Sequence, residues 1–142
     1  MPARILLIDD EQGFVETMSK RLEMRGYPVS TAFNGQDGVD SLSKTTADVV
    51  ILDVKMPGMD GIETLGVIKQ AHPLVEVIML TGHATVENAI EGMKRGAFDY
   101  MMKPCDMDEL LAKVDEAYDK KTTQEDKILE ARARHIALRR GV

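Results

Sequence analysis

Four short apolar runs, each ending in polar residues, constrain this chain most. Ile5-Leu6-Leu7-Ile8 leads into Asp9-Asp10-Glu11, and Val49-Val50-Ile51-Leu52 into Asp53. Val77-Ile78-Met79-Leu80 leads into Thr81-Gly82, and Tyr100-Met101-Met102 into Lys103-Pro104. Apolar runs of this length bounded by turn residues read as strands buried on both faces, as in a parallel sheet. In an open α/β sheet, ligands bind beyond the carboxyl ends of the strands. Such a sheet would bring three carboxylates, a hydroxyl and an ammonium to one rim, a set suited to a divalent metal and a phosphoryl group.

Between the runs the periodicity is helical. Phe14, Met18 and Leu22 mark a helix over about 12–25 that Gly26 stops. Val29 to Phe33 reads as a second strand at a sheet edge, with Pro28 at its start. Asn34-Gly35 is a turn signal, and Gly38 to Ser43 a short helix with Val39 and Leu42 inward. Strand three is expected at 48–53, a helix at 61–71 that ends before Pro73, and strand four at 75–81. Val86, Ala89, Ile90 and Met93 predict the inner face of a helix over 85–94. Strand five follows at 98–102. Asp106 and Glu109 form a capping-box-like pair for a last helix with Leu110, Leu111, Val114, Ala117 and Tyr118 inward. Residues 122–142 continue helically, with Thr122-Thr123 as a candidate break or cap. Met79, Met93, Met101 and Met102 are expected to be core filler. Five strand–helix repeats imply a flavodoxin-like, doubly wound five-stranded parallel α/β sheet of order 2-1-3-4-5. Strands one and three then flank the switch point and bring Asp9, Asp10 and Asp53 into one crevice.

Composition narrows the function. The 142 residues suit one domain, and 44% apolar content suffices for a core. Residues 1–119 carry 11 Lys/Arg against 21 Asp/Glu, while residues 120–142 carry 7 against 3. An acidic body argues against direct nucleic-acid binding, and the basic end reads as a solvated helix. The expected division is a domain over 1–121 and a basic helical extension over 122–142. No run of 18 apolar residues is present, so no membrane span or membrane partner is expected. The start shows no signal peptide, and the single Cys105, read as an inert packed thiol, fits a reducing cytoplasm. There is no Walker A motif, and no Gly-x-Gly-x-x-Gly follows strand one.

Asp9-Asp10, Asp53-Val54-Lys55-Met56-Pro57-Gly58-Met59-Asp60-Gly61, Thr81-Gly82-His83 and Lys103-Pro104 stand in an order and spacing that resemble a bacterial two-component response-regulator receiver domain over about residues 4–119. Met79 to His83 and Lys103 to Cys105 look most like receivers of sigma-54-type activators. At 142 residues the chain is expected to stand alone, without room for an ATPase or helix-turn-helix output domain.

The resemblance implies roles. Asp53 would accept the phosphoryl group as an acyl phosphate. Mg²⁺ would be held by Asp10 directly, by Asp9 through water, and by Asp53 and the backbone carbonyl of Lys55. Asp9 and Asp10 read equally as a helix N-cap pair, and Glu11 shares that reading. Lys103 would neutralise a phosphoryl oxygen, with Pro104 after a cis bond, and Thr81 would donate its hydroxyl. Lys55 and His83 would tune the acyl-phosphate lifetime, although His83 reads equally as a surface residue. Tyr100 would be the switch aromatic, turning inward as Thr81 moves toward the phosphate.

Such a protein catalyses its own phosphotransfer and autodephosphorylation without being a conventional turnover enzyme. Its implied partners are a sensor histidine kinase or phosphotransfer protein, an output protein, and a second copy through the face formed by helix 84–95, strand 98–102 and helix 106–119. A phosphorylation-independent binding module and the excised regulatory half of a sigma-54 activator are the alternatives. Haloacid-dehalogenase-like phosphatases carry an acid two positions after the nucleophile, where this chain has Lys55.

Overall fold

Strand polarity and side-chain alternation build this molecule, whose computed structural model describes residues 2–140. The strands are β1 (Ile5–Ile8), β2 (Val29–Ala32), β3 (Val49–Leu52), β4 (Glu76–Thr81) and β5 (Asp99–Met102). They pair in parallel in the order β2-β1-β3-β4-β5. Ile5 pairs with Val29 on one side and Val49 on the other, and Val49 pairs in turn with Glu76. Every residue of β1, β3 and β4 is buried, as a central parallel strand requires.

Successive side chains point to opposite faces, so the sheet divides two cores. Leu6, Ile8, Val50, Leu52, Val77 and Met79 face α2 (Gly35–Lys44), α3 (Gly61–Ala71) and α4 (Val86–Lys94). Ile5, Leu7, Val49, Ile51, Ile78 and Leu80 face α1 (Gln12–Met24) and α5 (Met107–Arg140). The partly exposed strands β2 and β5 form the edges.

Several local expectations change. The Asn34-Gly35 pair starts a helix: Asn34 Oδ1 accepts from the Asp37 amide at 2.8 Å, so α2 begins one turn before Gly38. The inner face of α1 is Val15, Met18 and Leu22, with Phe14 only partly buried. In α4 the helical spacing holds but the inward assignment does not. Val86, Ile90 and Met93 are exposed, and Gly92 is the buried residue, because α4 lies with its small side against β5. Met79 is core, whereas Met93 and Met102 lie at the surface. Asp106 contributes its carbonyl, accepting from the Leu110 amide at 3.0 Å.

Thr122-Thr123 neither breaks nor caps α5. The Thr122 hydroxyl bonds back to the carbonyls of Tyr118 and Asp119, which satisfies it within the helix. The 34-residue helix therefore continues past the sheet. None of the described helices is long and apolar enough to cross a membrane.

Candidate functional site

The parallel ladder continues one step past the strand ends and so fixes the rim. The Asp9 amide donates to the Ala32 carbonyl at 3.1 Å and the Asp53 amide to Ile8 at 3.0 Å. The Lys103 amide donates to the Thr81 carbonyl at 2.9 Å, and the Lys103–Pro104 peptide is cis. Side chains that the sequence separates by up to 94 positions meet as a result.

Asp9 and Asp53 are almost wholly buried, at 1% and 2% exposure, while Asp10 is exposed. The three carboxylates offer oxygens that all lie within 4.8 Å of one another. Asp53 Oδ1 accepts from the Val54 amide at 2.8 Å. Asp9 Oδ1 accepts from the Glu11 amide at 3.0 Å, and Asp9 Oδ2 accepts from Lys103 Nζ at 2.6 Å. Lys103 Nζ also reaches Glu11 Oε1 at 3.3 Å and stands 3.9 Å from Asp53 Oδ2. Two acids with little water and one close cation form an under-neutralised cluster.

Burial raises the Asp9 carboxyl above its ordinary value, and the nearby Asp53 charge adds to this; the Lys103 and Glu11 hydrogen bonds only partly offset it. Burial pulls the Lys103 ammonium down, but its contacts with Asp9, Asp53 and Glu11 outweigh that and raise it overall. Hard oxygen donors at this separation fit a divalent cation such as Mg²⁺.

A cleft of about 510 Å³ opens over the cluster, lined by Asp10, Glu11, Asp53, Lys55, Met56, Pro57 and His83. Lys55 and His83 thus face the rim, and both are exposed. Thr81 is fully buried, and its Oγ1 accepts from the His83 amide at 3.0 Å. A second cleft of about 440 Å³, at the opposite end of the sheet beside Leu42, His72 and Pro73, is lined by Lys44, Lys121 and a single acid, Glu125.

Tyr100 is already turned in. Its ring packs on the core beside Gly92, and its hydroxyl is buried near the Thr85 backbone. In the same structure Thr81 keeps its bond to the His83 amide. Gly92 lies beside the ring, where an added Cβ would make an ordinary contact at 3.6 Å.

Two neighbours of Lys103 have no signal in the motif pattern. Glu11 reads as a helix N-cap residue, and Phe14 as a packing residue. Yet Lys103 Nζ lies 3.9 Å above the centroid of the Phe14 ring. Only the fold shows that the first turn of α1 passes under this lysine.

Comparison with known proteins agrees with this geometry. Residues 5–115 match the response regulator receiver domain family. The chain is 39% identical over 111 residues to the DNA-binding transcriptional regulator NtrC of Klebsiella pneumoniae, covering 78% of this chain and 24% of that protein. It is 36% identical over 116 residues to the transcriptional regulatory protein GlrR of Escherichia coli K12, covering 82% and 26%. It thus spans about a quarter of the length of these curated relatives. Among solved structures, the CheY-like receiver domain protein from Methanospirillum hungatei JF-1 superposes with a TM-score of 0.83 at 31% identity, over 87% of this chain and 99% of that one. A receiver domain protein from Clostridium thermocellum gives 0.82 at 38% identity, over 86% and 98%. With five parallel strands in this order and the matched motifs at their carboxyl ends, the chain belongs to the response regulator receiver domain family, the phosphorylation-activated switches of two-component signalling.

Proposed function

We propose that Asp53 is the phosphoryl acceptor of this switch. The observation that carries the reading is its placement: a buried carboxylate with one oxygen held by the Val54 amide and the other turned toward Lys103 and the acid cluster. Asp53 Oδ2 attacks phosphorus on a phosphohistidine of a sensor kinase or phosphotransfer protein. The P–N bond breaks, a P–O bond forms, and the imidazole leaves with the electron pair. Acetyl phosphate serves equally as a small donor.

Phosphoryl transfer depends mainly on position and charge neutralisation. Lys103 supplies a mobile point charge, and the Thr81 hydroxyl donates to a phosphoryl oxygen after leaving the His83 amide. Asp9, Asp10, Asp53 and the Lys55 carbonyl would hold Mg²⁺, which neutralises phosphoryl oxygens when bound. Lys55 and His83 flank the approach for the water that later hydrolyses the acyl phosphate, and so tune its lifetime.

The output surface is α4, β5 and α5. Exposed Val86, Ile90 and Met93 give it an apolar surface for a partner or a second copy. We place the switch in the cytoplasm and read residues 1–121 as the receiver followed by an extension that is helical to Arg140, the last two residues of the expected 122–142 extension lying outside the described residues. Regulators such as NtrC among the relatives favour one further reading, in which this chain is the regulatory part of a sigma-54 activator.

Incubation with acetyl phosphate and Mg²⁺ should add one phosphoryl group, read by intact mass. Asp53→Asn should abolish the adduct. Labelling of that variant at the wild-type level would assign the acceptor elsewhere.

A further inference from the structure

We infer that Phe14 is a positioning residue for the Lys103 ammonium, an inference that rests on the proposed role of Lys103 in phosphoryl transfer. The ring lies in the first turn of α1, beside Asp9 to Glu11, at the edge of the core rather than within it. Lys103 Nζ sits 3.9 Å from its centroid, well inside the roughly 6 Å over which a ring face attracts a cation. The lysine side chain is 13% exposed, so the contact is largely shielded from water.

The other partners of this ammonium are all carboxylates. Asp9 and Asp53 belong to the acid cluster, and a divalent cation there competes with Lys103 for both. Glu11 is 61% exposed, and an exposed ion pair contributes little. Among the contacts of Lys103 that are shielded from water, the Phe14 face is the one that a metal at the acid cluster does not compete for. An aliphatic residue at position 14 fills the same space without the attraction. The flexible lysine then spends part of its time away from the cleft.

The test compares Phe14→Leu and Phe14→Tyr in the wild-type and Lys103→Met backgrounds. The rate of acyl-phosphate formation from acetyl phosphate and Mg²⁺ is measured for each. Phe14→Leu should slow labelling by about two- to thirtyfold, the range of a partly to fully desolvated ring contact. Phe14→Tyr should restore it, and Phe14→Leu should have no further effect once Lys103 is Met. The metal-free protein supplies an independent readout: the ring current shifts the Lys103 ε-methylene protons upfield in wild type and Phe14→Tyr, and the shift disappears in Phe14→Leu.

Wild-type labelling by Phe14→Leu overturns the inference. So does equal slowing in the Lys103→Met background, which would mark Phe14 as a packing residue. If Phe14→Leu loses its dispersed spectrum, Phe14→Met takes its place. Failure of the wild-type protein to label would instead strike the acceptor reading, and the ε-methylene shift would still judge the contact.

Discussion

Lys103 Nζ stands 2.6 Å from Asp9 Oδ2 but 3.9 Å from Asp53 Oδ2. The partly shielded ammonium at this rim is thus committed to a carboxylate other than the proposed acceptor. In the metal-free, unphosphorylated protein it neutralises Asp9, and a metal at the acid cluster or new charge on Asp53 gives it reason to move. Metal binding and transfer therefore place opposite demands on Lys103, and a single substitution separates them.

Lys103→Met should bind Mg²⁺ at least as tightly as wild type, because a cation that repels the metal and competes for Asp9 is gone. Labelling by acetyl phosphate should nevertheless fall by about 10²–10³, the usual loss when one preorganised electrostatic group is removed. Titration calorimetry and a labelling time course on the same sample check both halves. Weaker metal binding would show that Lys103 holds Asp9 in shape rather than competing for it.

Asp9 sets a pH dependence for the same cluster. Its carboxyl is raised by burial, then by Asp53, so a proton competes with metal at a higher pH than at an ordinary carboxylate. The sign for folding follows from linkage. With the folded value above the unfolded one, the contribution of Asp9 to stability is fully present below the unfolded value of about 3.8 and is lost as pH rises through the folded value. At neutral pH the metal-free fold therefore carries an unfavourable ionised Asp9, and Mg²⁺ relieves it. Added at 100 times its dissociation constant, Mg²⁺ should stabilise by about 2.7 kcal/mol near neutral pH. The gain should shrink as pH falls through the Asp9 transition. Thermal melts with and without Mg²⁺ across about pH 4–8 measure it; a gain that does not change with pH would remove Asp9 from the metal site.

Elements whose physics is local were readable from the chain. A buried strand needs only its own apolar run and a polar end, so Ile5–Ile8 with Asp9 and Val49–Leu52 with Asp53 stood out. Where meaning depends on a distant neighbour, it did not. Val86, Ile90 and Met93 have helical spacing, but spacing cannot say which side of a helix meets the sheet. Asn34-Gly35 suits a turn as well as a helix start, and the Asp37 amide decides between them. Thr122 looks like a helix breaker until its hydroxyl finds the Tyr118 carbonyl. Phe14 and Lys103 are far apart in sequence, and no pattern in either segment announces the other.

Gly61 is required by proximity rather than by backbone conformation. A Cβ built there would lie 1.9 Å from the Asp53 carbonyl oxygen and 2.7 Å from Val54 Cα. Those are backbone atoms, which cannot step aside as a side chain does. Gly61→Ala should cost about 1–3 kcal/mol in urea unfolding, as overpacking does, and should slow labelling by displacing Asp53. Unchanged stability and labelling would mean that the start of α3 can shift away without moving the acceptor.

The far end of the molecule tests the extension. Lys121 is buried where α5 leaves the sheet: its Nζ lies 2.9 Å from Asp48 Oδ1 and 3.3 Å from Glu125 Oε2. Asp48 Oδ2 also accepts from the Arg4 amide at 2.8 Å. One turn of helix is thereby tied to the starts of β1 and β3. Beyond it, Ile128, Leu129, Ile136 and Leu138 are all exposed, so that stretch buries little against the body. Lys121→Met should destabilise by about 1–3 kcal/mol, because Asp48 keeps its burial and loses a charged partner. A chain ending at Glu130 keeps the Lys121–Glu125 pair. It should unfold within about 0.5 kcal/mol of the full chain and label Asp53 at the same rate. Loss of labelling on that truncation would make the extension part of the site and move the receiver boundary past residue 130. A change confined to sedimentation would make the exposed apolar side chains an association surface.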